Sequence, residues 1–221
     1  MKDYDYIINC YQGKGVPYYG RRDDIRMIVL NICRHMYYND TDIVQSLISH
    51  YKDFRYIKDI RIEGYTCIIE YDEGIVSFNV FPSSFYQSFC DDIFGISDTY
   101  GQCHYVTQKI LENCHCDNIS AVTSLCINTN YIVFFHSYNL DRRENKVIDF
   151  ARKFSMDKDQ YDMLFCYRQI NDLNYYEYKN KLANSDYDVN SNVCPLLYLC
   201  LYDLDEENKK SSNVKVKYMK R

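Results

Sequence analysis

A cysteine, a histidine and an aspartate occur in this order along the chain, Cys103, His136 and Asp149, each in surroundings that thiol chemistry would use. Cys103 follows Tyr100-Gly101-Gln102, and Val106, Ile110 and Cys114 recur after it at helical spacing. The pattern predicts a helix over 102–113 with Cys103 at its N-terminus, on the face that packs inward. Unpaired backbone N–H groups and the helix dipole stabilise a thiolate there and lower its pKa. The same N–H groups, with Gln102 beside them, can receive the oxyanion formed when a carbonyl is attacked. His136 lies near the end of the apolar run 131–138 and shares a strand face with Ile132 and Phe134. Asp149 stands between Val147-Ile148 and Phe150, where an unpaired carboxylate would be costly to bury. If 131–138 and 146–150 form a hairpin, residues 136 and 149 fall opposite each other, their Cβ atoms about 4.5–5.5 Å apart. Asp149 then accepts the second imidazole N–H and holds the ring in place, an arrangement of nucleophile, base and orienting group.

The elements that must position this trio can be read around it. Residues 22–38 repeat apolar side chains at three and four and predict a helix, and Asp40 or Thr41 caps a second one with Ile43, Val44, Leu47 and Ile48 on one stripe. Three strand-like runs follow, 56–62, 65–71 and 75–81, separated by Glu63-Gly64 and Asp72-Glu73-Gly74 turns; they predict a meander. A loop with a short helical piece occupies 82–100. After the cysteine helix come strands over 120–128, 131–138 and 146–150. Asp157 and Gln160 form a capping box opening a helix through Met163, Leu164 and Tyr167. Residues 6–11 form a short strand, and the charged tail beyond Asp205 is frayed.

Composition bounds the rest. A chain of 221 residues, 47% apolar and 16% aromatic, has material for a core and excludes a disordered chain. No apolar run approaches the ~18–20 residues that span a bilayer, so no membrane partner is expected. The net charge of −5 argues against a nucleic-acid partner. The 11 cysteines, an odd number without a secretory leader, predict a reduced cytoplasmic protein. The 25 tyrosines and no tryptophan reflect AT-rich codons of a bacterial or phage kind rather than chemistry. Gly13-Lys14-Gly15 does not complete a phosphate-binding loop. Zinc is the rival use of Cys103-His104, Cys114-His115-Cys116 and Cys126, but their spacing does not match paired zinc ligands. We therefore expect no metal and no organic cofactor.

A helix-N-terminal Cys, a strand His and an Asp on the next strand resemble the papain-like cysteine enzymes of the transglutaminase-like branch. Gly101-Gln102-Cys103-His104 resembles the segment before the nucleophilic helix, and His136-Ser137-Tyr138 with Val147-Ile148-Asp149-Phe150 resembles the His and Asp strands. The resemblance covers about residues 98–151. It departs at His104, where the family has an aromatic residue, and no upstream Gln marks a papain-type oxyanion hole. It implies an α+β fold, with an antiparallel sheet packed on the helix that carries the nucleophile. Residues 1–205 would form a single domain (a helical lobe over 1–55, a catalytic-type core over 56–205), with 206–221 a charged tail. It further implies a cysteine-dependent hydrolase or acyl transferase acting on an amide, isopeptide or thioester of a protein or peptide substrate. Cys103, His136 and Asp149 would be the catalytic residues, and Gln102, Tyr100 and His104 the candidates for the oxyanion and substrate. The Arg142-Arg143 loop, beside the expected hairpin, is placed to touch substrate. The alternative from another class is a non-catalytic binding or inhibitor protein on the same scaffold. Oligomeric state is left open.

Overall fold

Alternation of inward apolar and outward polar side chains builds the first half of a sheet. The computed structural model describes residues 4–96, 99 and 101–219, with side chains to 210. Strands β1 (Ile57–Glu63), β2 (Thr66–Tyr71) and β3 (Gly74–Val80) form an antiparallel meander whose buried positions recur at every second residue: Cys67, Ile69 and Tyr71 on β2, then Val76, Phe78 and Val80 on β3. A second meander follows, of β4 (Ile119–Ile127), β5 (Val133–Asp141), β6 (Lys146–Asp149) and β7 (Phe154–Asp157). It runs back so that β7 pairs with β3, and β8 (Cys166–Asn174) closes the far edge of β4. The result is an eight-stranded sheet of order β1-β2-β3-β7-β6-β5-β4-β8, antiparallel at every pairing. Together with its helices this is an α+β architecture, as the sequence implied.

Helices cover both faces because β4 and β5 bury side chains on both. Helices α2 (Arg21–Tyr37), α3 (Thr41–Lys52) and, later in the chain, a helix over Lys158–Phe165 pack one core with Ile69, Phe78, Val122, Tyr138 and Met156. The opposite core joins Ala121, Leu125 and Phe135 to Ile7 of α1 (Asp5–Tyr11) and to Leu199 and Leu204 of the C-terminal helix, Pro195–Met219. Between β3 and β4 the chain forms α4 (Ser83–Phe89), a π-helical turn (Cys90–Phe94) and α5 (Cys103–Cys114). In chain order the remaining helices are α6 (Lys158–Phe165), α7 (Tyr175–Ala183) and α8 (Pro195–Met219).

Several local expectations need correction. Residues 6–11 are helical, not extended: Tyr4 and Ile7, three apart, are the buried pair, and a run this short does not separate the two periods. The helix expected through Tyr167 ends at Phe165, because Cys166–Asn174 is drawn out to pair with the free edge of β4. Asp157 caps α6 through the Asp159 and Gln160 N–H groups, but the capping box is incomplete. The Gln160 amide turns away to the Ile75 carbonyl and the Ser77 N–H of β3. The tail is helical rather than frayed in its backbone, as α8 continues to Met219. Among the described residues, no helix is long and apolar enough to cross a membrane.

Phe154 sits opposite Asp149 in the β6–β7 register, fully buried against Phe78, Tyr161 and Phe165. Phe154→Ala is expected to lower the urea unfolding free energy by about 3–5 kcal/mol, the usual cost of deleting a buried aromatic ring. A loss below about 1 kcal/mol would contradict the packing described, since that is what surface substitutions cost.

Candidate active site

Cys103 is the first residue of α5, so its backbone N–H has no partner within the helix. The turn that delivers it is closed by the Gln102 N–H on the Thr99 carbonyl, 3.0 Å, with Gly101 at φ +71° in its third position. That is the position where a type II turn needs a positive φ, which glycine adopts without a steric penalty. The buried Thr99 hydroxyl is hydrogen-bonded to Tyr86 of α4, and the Tyr86 hydroxyl donates to the Phe150 carbonyl at 3.0 Å. One tyrosine therefore ties the loop before the cysteine to the residue after Asp149.

His136 and Asp149 meet, but not as a directly opposed pair. The β5–β6 register pairs Asn139 with Ile148 and Leu140 with Val147, so Asp149 lies across from position 138 and diagonal to His136 on the same face. The imidazole bridges the longer diagonal: Nε2 lies 2.8 Å from Asp149 Oδ2. The other bonds to this carboxylate come from the Tyr161 hydroxyl, which donates to Oδ2 at 2.7 Å, and the Arg152 backbone N–H, which donates to Oδ1 at 3.0 Å. Arg152 Nη1 donates to Tyr161 Oη at 2.7 Å and stands 3.8 Å from Asp149 Oδ2, its guanidinium over the Phe165 ring. Arg152 and Tyr161 were not foreseen. The signal for them was Asp149 itself, since an aspartate in an apolar run needs buried donors.

The strand arrangement explains how Cys103 reaches His136. Helix α5 lies over the face of β5 that carries Ser137 and Asn139: the Asn139 amide donates to the Thr107 carbonyl at 3.1 Å, and His104 Nδ1 is 2.7 Å from Ser137 Oγ. His136 projects from the other face. On one side β5 is paired with β4 along Val133–Asp141, which closes that route. On the other side β6 pairs only with Asn139, Leu140 and Asp141, and Gly13 and Lys14 pair with Val133. Between these two pairings the edge of β5 has no paired strand among the described residues. There the Cys103 sulfur comes close enough to the His136 ring, and to His104, for each to bear on its ionisation.

The electrostatics follow from this contact. Burial pushes the Cys103 thiol up, but the neighbouring His104 and His136 rings overcome it and bring the pKa down to about 5. Burial pushes His136 down, while the Asp149 charge raises it and prevails over Arg152, leaving it at about 9. For Asp149, burial is outweighed by His136, Arg152 and Tyr161, and its carboxyl is held below the ordinary range. Cys103 is thus a thiolate above about pH 5 and His136 an imidazolium below about pH 9. Cys103 is also partly exposed, whereas His136 and Asp149 are buried. The other displaced thiols among the described residues, Cys33, Cys67, Cys114, Cys126, Cys166, Cys194 and Cys200, all move up, chiefly by burial.

The remaining candidates divide. His104 is half-buried and joins the site; its partner Ser137 Oγ is 2.8 Å from Thr123 Oγ1. Gln102 is exposed and contributes its backbone to the turn and to the N-cap of α5. Tyr100 lies outside the described residues. Arg142 is committed elsewhere, to Asp172 at 2.9 Å and Glu177 at 3.1 Å, beyond the far end of β5. Cys114, expected on the inward face of α5, is exposed, because the helix ends there at a left-handed His115 (φ +47°) whose ring packs on Tyr175. Among the described residues, no three His, Cys, Asp or Glu side chains converge as a metal would need. No family model matches the chain, and neither the curated proteins nor the solved structures contain a match to it.

Alkylation by iodoacetamide, followed at each cysteine by mass spectrometry, is expected to show a midpoint near pH 5 for Cys103. His136→Ala removes a hydrogen bond and a charge and should move that midpoint toward the ordinary thiol value of ~8.5. A wild-type midpoint already near ~8.5 would refute the ion pair.

Proposed function

We propose that the protein is a cysteine-dependent acyl-transfer enzyme, a hydrolase or acyl transferase acting on an amide, isopeptide or thioester. The observation that carries this is the chain of contacts from the partly exposed Cys103 sulfur to His136 and on to Asp149, with the nucleophile at a helix N-terminus. The order of helix, strand, His strand and Asp strand agrees with the papain-like and transglutaminase-like pattern to which the sequence bears a resemblance.

Each residue has a role that its contacts support. The Cys103 thiolate attacks the substrate carbonyl carbon; an S–C bond forms and the π pair moves to oxygen. The oxyanion is met by the Cys103 backbone N–H. As the tetrahedral intermediate collapses, the His136 imidazolium gives its proton to the leaving amine or thiolate, and the acyl group remains on sulfur. Neutral His136 then takes a proton from water or from an acceptor amine, which attacks the thioester and releases Cys103. Asp149 holds the ring through Nε2, so the other ring nitrogen, Nδ1, is the one left to face sulfur and substrate. Tyr161 and Arg152 keep the carboxylate ionised by bonding to it.

p-Nitrophenyl acetate tests this without knowledge of the natural substrate. The wild type should release a burst of nitrophenolate equal to the enzyme present and carry acetate on Cys103, while Cys103→Ala gives no burst. With a substrate whose leaving group must be protonated, turnover should follow a bell with limbs near pH 5 and pH 9. The signs are fixed: below the lower limb sulfur is protonated and cannot attack, and above the upper limb His136 has lost the proton it must donate. Asp149→Asn should cost at least ~100-fold in turnover, because the imidazole loses its orientation and its charge partner. Absence of a burst, with Cys103 titrating as an ordinary thiol, would leave the binding-protein alternative.

A further inference from the structure

We propose that His104 is a second catalytic imidazole of this site, the side-chain donor that receives the oxyanion formed on a carbonyl attacked by Cys103. This rests on the acyl-transfer reading above and adds a residue to it. The ring belongs to the second residue of α5, directly after the nucleophile, and lies near enough to the Cys103 sulfur to help pull its pKa down. An N–H held beside the sulfur is also within range of the oxygen of a carbonyl whose carbon has just bonded to that sulfur, since that oxygen is only two bonds away from it. His104 is independently anchored: its Nδ1 is 2.7 Å from Ser137 Oγ, which is 2.8 Å from Thr123 Oγ1. Ser137 and Thr123 are fully buried and face each other across the β4–β5 pairing, so the support is rigid sheet rather than loop. The roles of the two imidazoles differ by their second contacts. His136 rests on a carboxylate and can hold a proton to give away. His104 rests on a neutral hydroxyl pair, which holds its ring in place beside the nucleophile. The exposed side chain of Gln102 makes no cap bond, so His104 is the better-placed side-chain donor beside the Cys103 backbone N–H.

Two reactions of the same sulfur separate this role from others. Alkylation by iodoacetamide displaces iodide from a saturated carbon and forms no oxyanion. Acylation by p-nitrophenyl acetate does form one: the S–C bond is made, the π pair goes to oxygen and returns, and nitrophenolate leaves. Both rates are taken at the high-pH plateau of each variant, so that a changed thiol pKa does not enter. His104→Leu is expected to lower acylation by ~100-fold, the usual effect of losing one oxyanion donor, while alkylation stays within ~3-fold. His104→Gln, which restores an N–H, should recover acylation to within ~10-fold of wild type. Equal losses in both reactions would overturn the proposal, because His104 would then act only on the thiolate, and so would no loss in either. If His104→Leu does not fold, the Gln variant and Ser137→Ala, compared with wild type in the same pair of reactions, decide it: acylation in Ser137→Ala must fall more than alkylation. A wild type that alkylates at low pH but gives no nitrophenolate burst refutes the acyl-transfer reading itself, an outcome distinct from a burst that His104→Leu leaves intact.

Discussion

The Asp149 carboxylate is the constraint around which the second half of the molecule is arranged. It is fully buried, and a buried charge persists only where donors surround it. Those donors come from three different places: His136 on β5, Tyr161 on α6, and the backbone of Arg152 in the turn just after β6. Satisfying one side chain therefore fixes where β6 ends, how the chain turns toward β7, and how α6 lies on the sheet. Because β6 stops at Asp149, the edge of β5 beside His136 is left without a strand among the described residues, and through that opening the cysteine of a helix on one face meets a histidine on the other. A longer β6 would pair the edge and separate them.

The charges along this line alternate. Cys103 and Asp149 are negative and His136 and Arg152 positive in the pH interval where the pair is formed, so the buried group as a whole is close to neutral. Alternation is what makes each shift run against burial. Desolvation alone would raise both acids and lower both bases; it does raise the thiols of Cys33 and Cys126, which are buried without such partners prevailing. Arg152 has a particular place here, because its charge stabilises Asp149 and opposes the protonation of His136. Its guanidinium lies against the rings of Phe165, Tyr161 and Phe134 and bonds to the Tyr161 hydroxyl, so the positive charge is held near the carboxylate and kept from competing with His136 for its near lone pairs.

Much of this was legible in the residues. The period of two in 66–80 and the period of 3.6 in 21–52 fix β2, β3, α2 and α3, and the setting of Asp149 in an apolar run demanded a partner. What sequence could not supply was register and tertiary pull. The diagonal placement of His136 and Asp149 depends on the length of the β5–β6 turn, where only four residues, 142–145, separate the strands once β5 extends to Asp141 rather than ending at Tyr138. β8 was hidden because Cys166–Asn174 has only a weak alternation of its own and becomes a strand by completing the edge of β4. α1 was hidden by brevity, since seven residues carry too few buried positions to reveal their period. Arg152 and Tyr161 carry no local motif at all; they are found only by asking which donors a buried carboxylate can reach.

Tyr86 shows how the fold converts such constraints into precision at the sulfur. The loop that presents Cys103 follows a π-helical turn, and by itself would hold the cysteine no better than any surface segment. Its hydroxyl, however, joins Thr99, four residues before the nucleophile, to the Phe150 carbonyl, one residue after the orienting aspartate. The ring is buried against Phe150 and Tyr37, so the bridge is pinned by packing as well as by hydrogen bonds. The two ends of the line from sulfur to carboxylate are thus connected twice, once through His136 and once through Tyr86. A displacement at either end must stretch both connections, and a contact between groups delivered by a loop, a strand and a turn acquires the rigidity of a single element.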